Sequence, residues 1–185
     1  MSFQHVEKIQ NIILIGFMGC GKSTIGRELK RLTGYQFIDM DAEIEAREKK
    51  SIATLFAEEG ELVFREKETE LLQEFRAKGL DHSVISTGGG AILSEENRNI
   101  IKSLGYVVWL KADAQTIYHR TKKNHSRPIL QTANPQQVIA DLLELRTPLY
   151  HECAHLTIEV KGLNRTEIAG GIIESARYFF SQHDT

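Results

Sequence analysis

The chain has 185 residues and a formal net charge of -2 at neutral pH; that length suits a single domain over residues 1–185, and the near balance of charge excludes binding of nucleic acid through bulk positive potential. Two cysteines, Cys20 and Cys153, exclude a disulfide framework and point to a reducing compartment. No apolar run approaches the roughly 18 residues of a membrane span and the first residues lack a signal-peptide pattern, so the expectation is a soluble cytoplasmic protein with no membrane partner.

The apolar run Ile12-Ile13-Leu14-Ile15 predicts a buried strand. It leads into Gly16-Phe17-Met18-Gly19-Cys20-Gly21-Lys22-Ser23-Thr24, and then into a segment whose apolar residues Ile25, Leu29 and Leu32 recur at helical spacing. Strand, glycine loop, helix is the context that the pattern G-x-x-x-x-G-K-[ST] requires of a phosphate-binding loop. Glycines let successive amides converge on phosphate oxygens, and the helix N-terminus adds the positive end of its dipole. Lys22 then reaches the outer phosphates and the Ser23 hydroxyl ligates Mg²⁺. Thr33-Gly34 closes the helix, and residues 36–41 read as a second strand ending in the acids Asp39 and Asp41.

Helical patterns follow over residues 42–48, 52–59 and 61–78, with Gly60 as a break, and a third strand over 83–87 runs into Gly88-Gly89-Gly90. A helix over 95–103, a strand over 106–110, a helix over 114–122 and a polar stretch over 123–134 come next. Pro135 starts a helix with Val138, Ile139, Leu142, Leu143 and Leu149 on its apolar side; a fifth strand over 156–160 and a helix over 166–180 complete the core, roughly 11–181. Strands alternating with helices imply right-handed crossovers and a parallel sheet covered on both faces. The lone tryptophan, Trp109, lies on a buried strand and is not expected to report directly on a ligand.

Several clusters carry possible chemistry, each beside a plainer reading. On a strand end, the period of two puts Asp39 and Asp41 on one side, suited to Mg²⁺ and an acceptor hydroxyl; equally, Asp41 could cap the next helix. Arg65, with Glu68 three residues on, reads as a solvated helical ion pair. The three glycines either make a flexible turn or let a ligand touch bare backbone. Arg127-Pro128 suits a hinged flap that carries a cation over a phosphate, or an ordinary exposed loop. Arg146 sits at a helix end, before a turn at Pro148, where a cation also satisfies the dipole. Cys20 stands where a thiol is acidified by a helix N-terminus, and reads more simply as a small residue in a tight loop. His151-Glu152-Cys153-Ala154-His155 matches the zinc-peptidase pattern H-E-x-x-H, with Glu174 downstream; it falls between that turn and a strand, whereas the pattern needs its own helix.

In order along the chain, the phosphate loop, Asp39-Met40-Asp41, Phe64-Arg65-Glu66-Lys67-Glu68, Thr87-Gly88-Gly89-Gly90-Ala91, Arg127-Pro128-Ile129-Leu130 and Arg146-Thr147-Pro148-Leu149-Tyr150 resemble the shikimate kinases from about residue 11 to 165. The resemblance implies a three-layer α/β phosphate-loop NTPase fold with a five-stranded parallel sheet, a substrate-binding helical region at about 41–78 and a mobile lid at about 123–134. It implies ATP and Mg²⁺ as cofactors and shikimate as the small-molecule substrate of a monomer. By the same resemblance Asp41, Arg65, Gly88, Gly89 and Arg146 hold shikimate, and Phe56 and Phe64 wall its ring. Gly19, Cys20, Gly21, Lys22, Ser23, Thr24, Arg120, Arg127 and Arg165 hold ATP, with Ser23 and Asp39 at the metal and Lys22, Asp41 and Arg127 serving catalysis. A gluconate kinase shares the loop and the sheet, and is set apart by Asp39, Asp41, Arg65 and Arg146 acting together.

Overall fold

In the computed structural model, which describes residues 10–122 and 132–182, β1 (Asn11–Ile15) leads through the glycine loop into α1 (Lys22–Thr33). Every residue of β1 is buried, as a continuous apolar strand covered on both faces should be. Then come β2 (Gln36–Asp39), α2 (Met40–Glu48), α3 (Ile52–Glu58) and α4 (Gly60–Lys78). They are followed by β3 (Ser83–Ser86), a 3-10 turn at Ala91–Leu93, α5 (Glu95–Leu104), β4 (Tyr106–Lys111) and α6 (Ala114–Thr121). The order closes with α7 (Pro135–Cys153), β5 (Leu156–Glu159) and α8 (Arg165–Ser181).

The strands form one five-stranded sheet, order β2-β3-β1-β4-β5, with every pair parallel. Alternation along each strand deals side chains to two cores. Ile12, Leu14, Val84, Val108 and Leu110 share one with Ile25 and Leu29 of α1 and Ile168 and Ile172 of α8. Ile13, Ile15, Ile85, Val107 and Trp109 share the other with Met40, Leu72, Phe75, Ile100 and Tyr150. Helix α7 serves both, giving Ile139 to the first and Tyr150 and Cys153 to the second. The chain leaves β1 toward β2 and later passes back over it to β4, so the segments after β1, β2 and β3 converge at the carboxyl edge of the sheet. Ligands of open α/β sheets bind at such an edge.

Three local expectations are corrected. The second strand stops at Asp39, whose backbone is extended and caps α2; Met40 and Asp41 are already helical, with Met40 fully buried. The two carboxylates therefore reach one region from a strand end and a helix start, not from one strand face. Helix α7 does not end near Arg146 but runs through Pro148 to Cys153. Proline removes one N–H from the ladder, and its would-be acceptor, the carbonyl of Glu144, lies on the exposed face of the helix where water can satisfy it. Leu32, in the last turn of α1, is 40% exposed and lies outside the core. Most of the expected lid, residues 123–131 with Arg127, lies outside the described residues.

Candidate active site

The loop after β1 is shaped by its own backbone. Gly19 and Gly21 have φ of 77° and 110°, values that strain any residue with a Cβ. Gly21 caps α1 without a side-chain hydrogen bond, so the first amides of that helix face the cleft free of a capping side chain, the arrangement suited to an anion. Lys22 is buried and folds back along the loop, its Nζ donating to the carbonyls of Gly16 at 2.7 Å and Phe17 at 3.2 Å. The ammonium is thereby held in the hollow of the loop. Cys20 is buried against the same core, its Sγ 3.9 Å from Lys22 Nζ, and packs as a small residue there.

Beside the loop, the Ser23 hydroxyl donates to Asp39 Oδ2 at 2.6 Å. A hydroxyl at the head of α1 and a carboxylate at the end of β2 are hard oxygen donors, a pair that suits a cation such as Mg²⁺. A cleft of about 510 Å³ opens here and is lined by Met18 to Thr24, Asp39, Asp41, Gly89, Arg120 and Arg165. The structure thus gathers the loop, both acids, one of the glycines and two of the arginines around one space. At the far end Arg120 Nη1 donates to the carbonyls of Gly19 at 3.3 Å and Cys20 at 3.0 Å. Arg165 starts α8 beside Thr166, whose hydroxyl donates to Glu28 Oε1 of α1 at 3.0 Å and ties the two helices together.

Arg65, Gly88 and Arg146 do not line that cleft directly; they form the wall next to it. The glycine turn is packed too closely for side chains. A Cβ on Gly88 would fall 2.0 Å from Glu68 Oε1 and 3.1 Å from Asp41 Oδ1, and one on Gly90 would fall 2.4 Å from Arg65 Nη2. Arg65 is held by Glu61 at 2.7 Å and Glu68 at 2.6 Å. This is not the solvated pair expected from spacing alone, because Glu68 has no exposed surface. Burial pushes the Glu68 carboxyl up, to about 7, against the pull of Arg65 and with the nearby charge of Asp41 adding to the rise. Phe56 and Phe64 stand 5.0 Å apart between ring centroids, and the Arg65 guanidinium lies 5.4 Å from the Phe64 ring.

On the other side, Arg146 is 3% exposed, sits 5.3 Å over the Phe17 ring and donates through Nη1 to the Gly89 carbonyl at 3.3 Å. Its Nε is buried with no hydrogen-bond partner among the described residues. Tyr150, one turn later on α7, donates to the same carbonyl at 2.5 Å and stacks on Trp109 at 5.5 Å. Sequence reasoning missed Glu68 and Tyr150 as members of this wall. The i+4 relation of Tyr150 to Arg146 was available, but a helix broken at Pro148 hides it. The histidines of H-E-x-x-H are used otherwise: His151 is exposed on α7, while His155 lies past its end and accepts the Val107 amide at Nδ1, 2.9 Å away.

A phosphate loop at the switch point of a parallel sheet, with a hydroxyl–carboxylate pair beside it and a neighbouring wall of acids and guanidinium groups, is the arrangement of a phosphate-loop kinase of small molecules. A sequence model described as shikimate kinase matches residues 18–177. The chain is 42% identical over 166 residues to a shikimate kinase of Actinobacillus pleuropneumoniae serotype 5b, covering 89% of this chain and 94% of that one. It is 42% identical over 168 residues to the enzyme of Acinetobacter baumannii strain AYE, covering 91% and 92%. The solved shikimate kinase of Acinetobacter baumannii in complex with shikimate superposes with a TM-score of 0.87 at 40% identity over 96% of each chain. The chain belongs to the shikimate kinase family. It is accordingly an ATP-dependent kinase whose reaction serves the chorismate route to the aromatic amino acids.

Proposed function

We propose that this chain transfers the γ-phosphoryl group of Mg-ATP to the 3-hydroxyl of shikimate, with the residues of the cleft and its wall in the following roles. One observation carries the assignment: two guanidinium groups, Arg65 beside Gly90 and Arg146 on the Gly89 carbonyl, flank a bare glycine turn next to the phosphate loop. A planar carboxylate suits such forks. Asp41 orients the acceptor hydroxyl and takes its proton, and the backbone of Gly88 and Gly89 touches the ring. Phe56 and Phe64 close its apolar side.

On the donor side, the amides from Gly19 to Thr24 hold the phosphate chain and Lys22 neutralises charge on the migrating group. Ser23 and Asp39 would hold Mg²⁺, which when bound would supply positive charge against the phosphate chain. Arg120 and Arg165 border the nucleoside, and Arg127 belongs to a lid at about 123–134 that closes over the phosphates and keeps water from accepting them. The substrate-binding region is 41–78, and the whole chain acts as one domain and as a monomer. A cytoplasmic location is supported by two buried, unpaired cysteines. No helix among the described residues is long and apolar enough to cross a membrane.

The test is ADP release from Mg-ATP with shikimate, gluconate, nucleoside monophosphates or no acceptor. Turnover is expected with shikimate alone, and ADP release that ignores shikimate overturns the proposal. Arg65→Ala and Arg146→Ala are each expected to weaken shikimate binding by roughly 2–5 kcal/mol; unchanged calorimetric titrations would remove them from the site.

A further inference from the structure

Tyr150 is the largest fully buried side chain among the described residues. A buried phenol needs an acceptor for its hydroxyl, and any nearby carbonyl satisfies the fold. Here the acceptor is Gly89 O, at 2.5 Å, in the turn that faces the proposed substrate. Burial raises the phenol's pKa well above its ordinary value, so the group stays a donor.

The other side of Gly89 rests on the phosphate loop, where a Cβ would lie 3.0 Å from the Met18 amide nitrogen. The glycine backbone is therefore wedged between the donor loop and α7. Because a peptide unit is planar, fixing the Gly89 carbonyl fixes the Gly90 amide with it. Arg146 shares the same carbonyl at the longer distance of 3.3 Å. If the hydroxyl is removed, the carbonyl is left to Arg146, and a guanidinium drawn onto it is turned away from a substrate carboxylate.

We propose that the Tyr150 hydroxyl is a positioning residue for the acceptor: it sets the glycine turn against the phosphate loop and limits Arg146 to one long hydrogen bond on that turn, leaving the rest of its fork for the acceptor's carboxylate. The inference rests on the reading of Gly89 and Arg146 as shikimate-binding residues. Tyr150→Phe tests it, since the variant keeps the ring and its stack on Trp109 and loses one oxygen. The KM for shikimate is expected to rise roughly five- to twentyfold while the KM for ATP stays within about twofold. Calorimetric titration with shikimate, without ATP, is expected to show the same loss.

An equal rise in both KM values, an unchanged shikimate KM, or a Tyr150→Phe chain that cannot be recovered folded overturns the inference, because the hydroxyl then serves the fold or nothing. Arg65→Ala separates the two possible failures. If it loses shikimate while Tyr150→Phe does not, only the inference falls. If neither variant changes shikimate binding, the acceptor reading falls with it.

Discussion

Glu68 holds opposing demands in one side chain: full burial, an ion pair to Arg65 through Oε2, and an Oε1 with no hydrogen-bond partner among the described residues. Its folded pKa of about 7 lies above the ordinary glutamate value of 4.5. The folded chain therefore binds this proton more tightly than the unfolded chain does. The resulting stability is fully present below about pH 4.5 and is lost as pH rises through 7. Across that window the group accounts for up to about 3 kcal/mol. Glu68→Gln cannot ionise, so its urea midpoint is expected to fall less between pH 5 and pH 8 than that of the wild-type chain. Equal slopes would mean that Arg65 keeps Glu68 ionised throughout. The Arg65–Glu68 pairing itself was legible from the i, i+3 spacing. The burial that changes its meaning was not, because it comes from a glycine turn about twenty residues downstream whose missing Cβ atoms leave room for both side chains.

At the scale of elements, the turn after β3 works by what it lacks. Gly90 has φ of -108° and ψ of 0°, a conformation open to any residue, so its requirement for glycine is one of space. Gly90→Ala is expected to press on the Arg65 guanidinium and raise the shikimate KM roughly tenfold, with a fall of only a few degrees in Tm. A KM that does not move would show that Arg65 yields without consequence for the acceptor. The phosphate loop was readable because strand, loop and helix are contiguous and the motif fixes its own geometry. The second strand and α7 were read with wrong ends for opposite reasons. Two acids after a short apolar run continue a strand pattern into what is the first turn of α2. A proline stops a helix on paper, but not where the unmatched carbonyl faces water.

Across the whole molecule the sheet edge joins two halves, with the proposed donor side built on β1, α1, α6 and α8 and the proposed acceptor side on α2 to α4, the turn after β3 and α7. The alternation of strands and helices made the parallel sheet legible. It could not say which side of the cleft each arginine serves, since those contacts are made between segments far apart in sequence. Arg127→Ala is expected to lower kcat at least about tenfold with shikimate affinity unchanged, as removal of a group that acts on the transferring phosphoryl should. Stopped-flow turnover beside equilibrium titration checks both quantities, and a near wild-type kcat would exclude Arg127 from phosphoryl transfer.

The stack of Trp109 on Tyr150 also gives the molecule an intrinsic optical probe. The chain has a single tryptophan, so all of its indole emission comes from a ring that is one contact from Tyr150 and two from the Gly89 carbonyl. Trp109 is 4% exposed and does not line the cleft, so an acceptor that shifts Tyr150 is expected to change its emission only through the stack. Titration of unlabelled protein with acceptor in a fluorimeter is expected to show this change, and Tyr150→Phe, which keeps the stacked ring and loses the hydrogen bond to Gly89, is expected to diminish it.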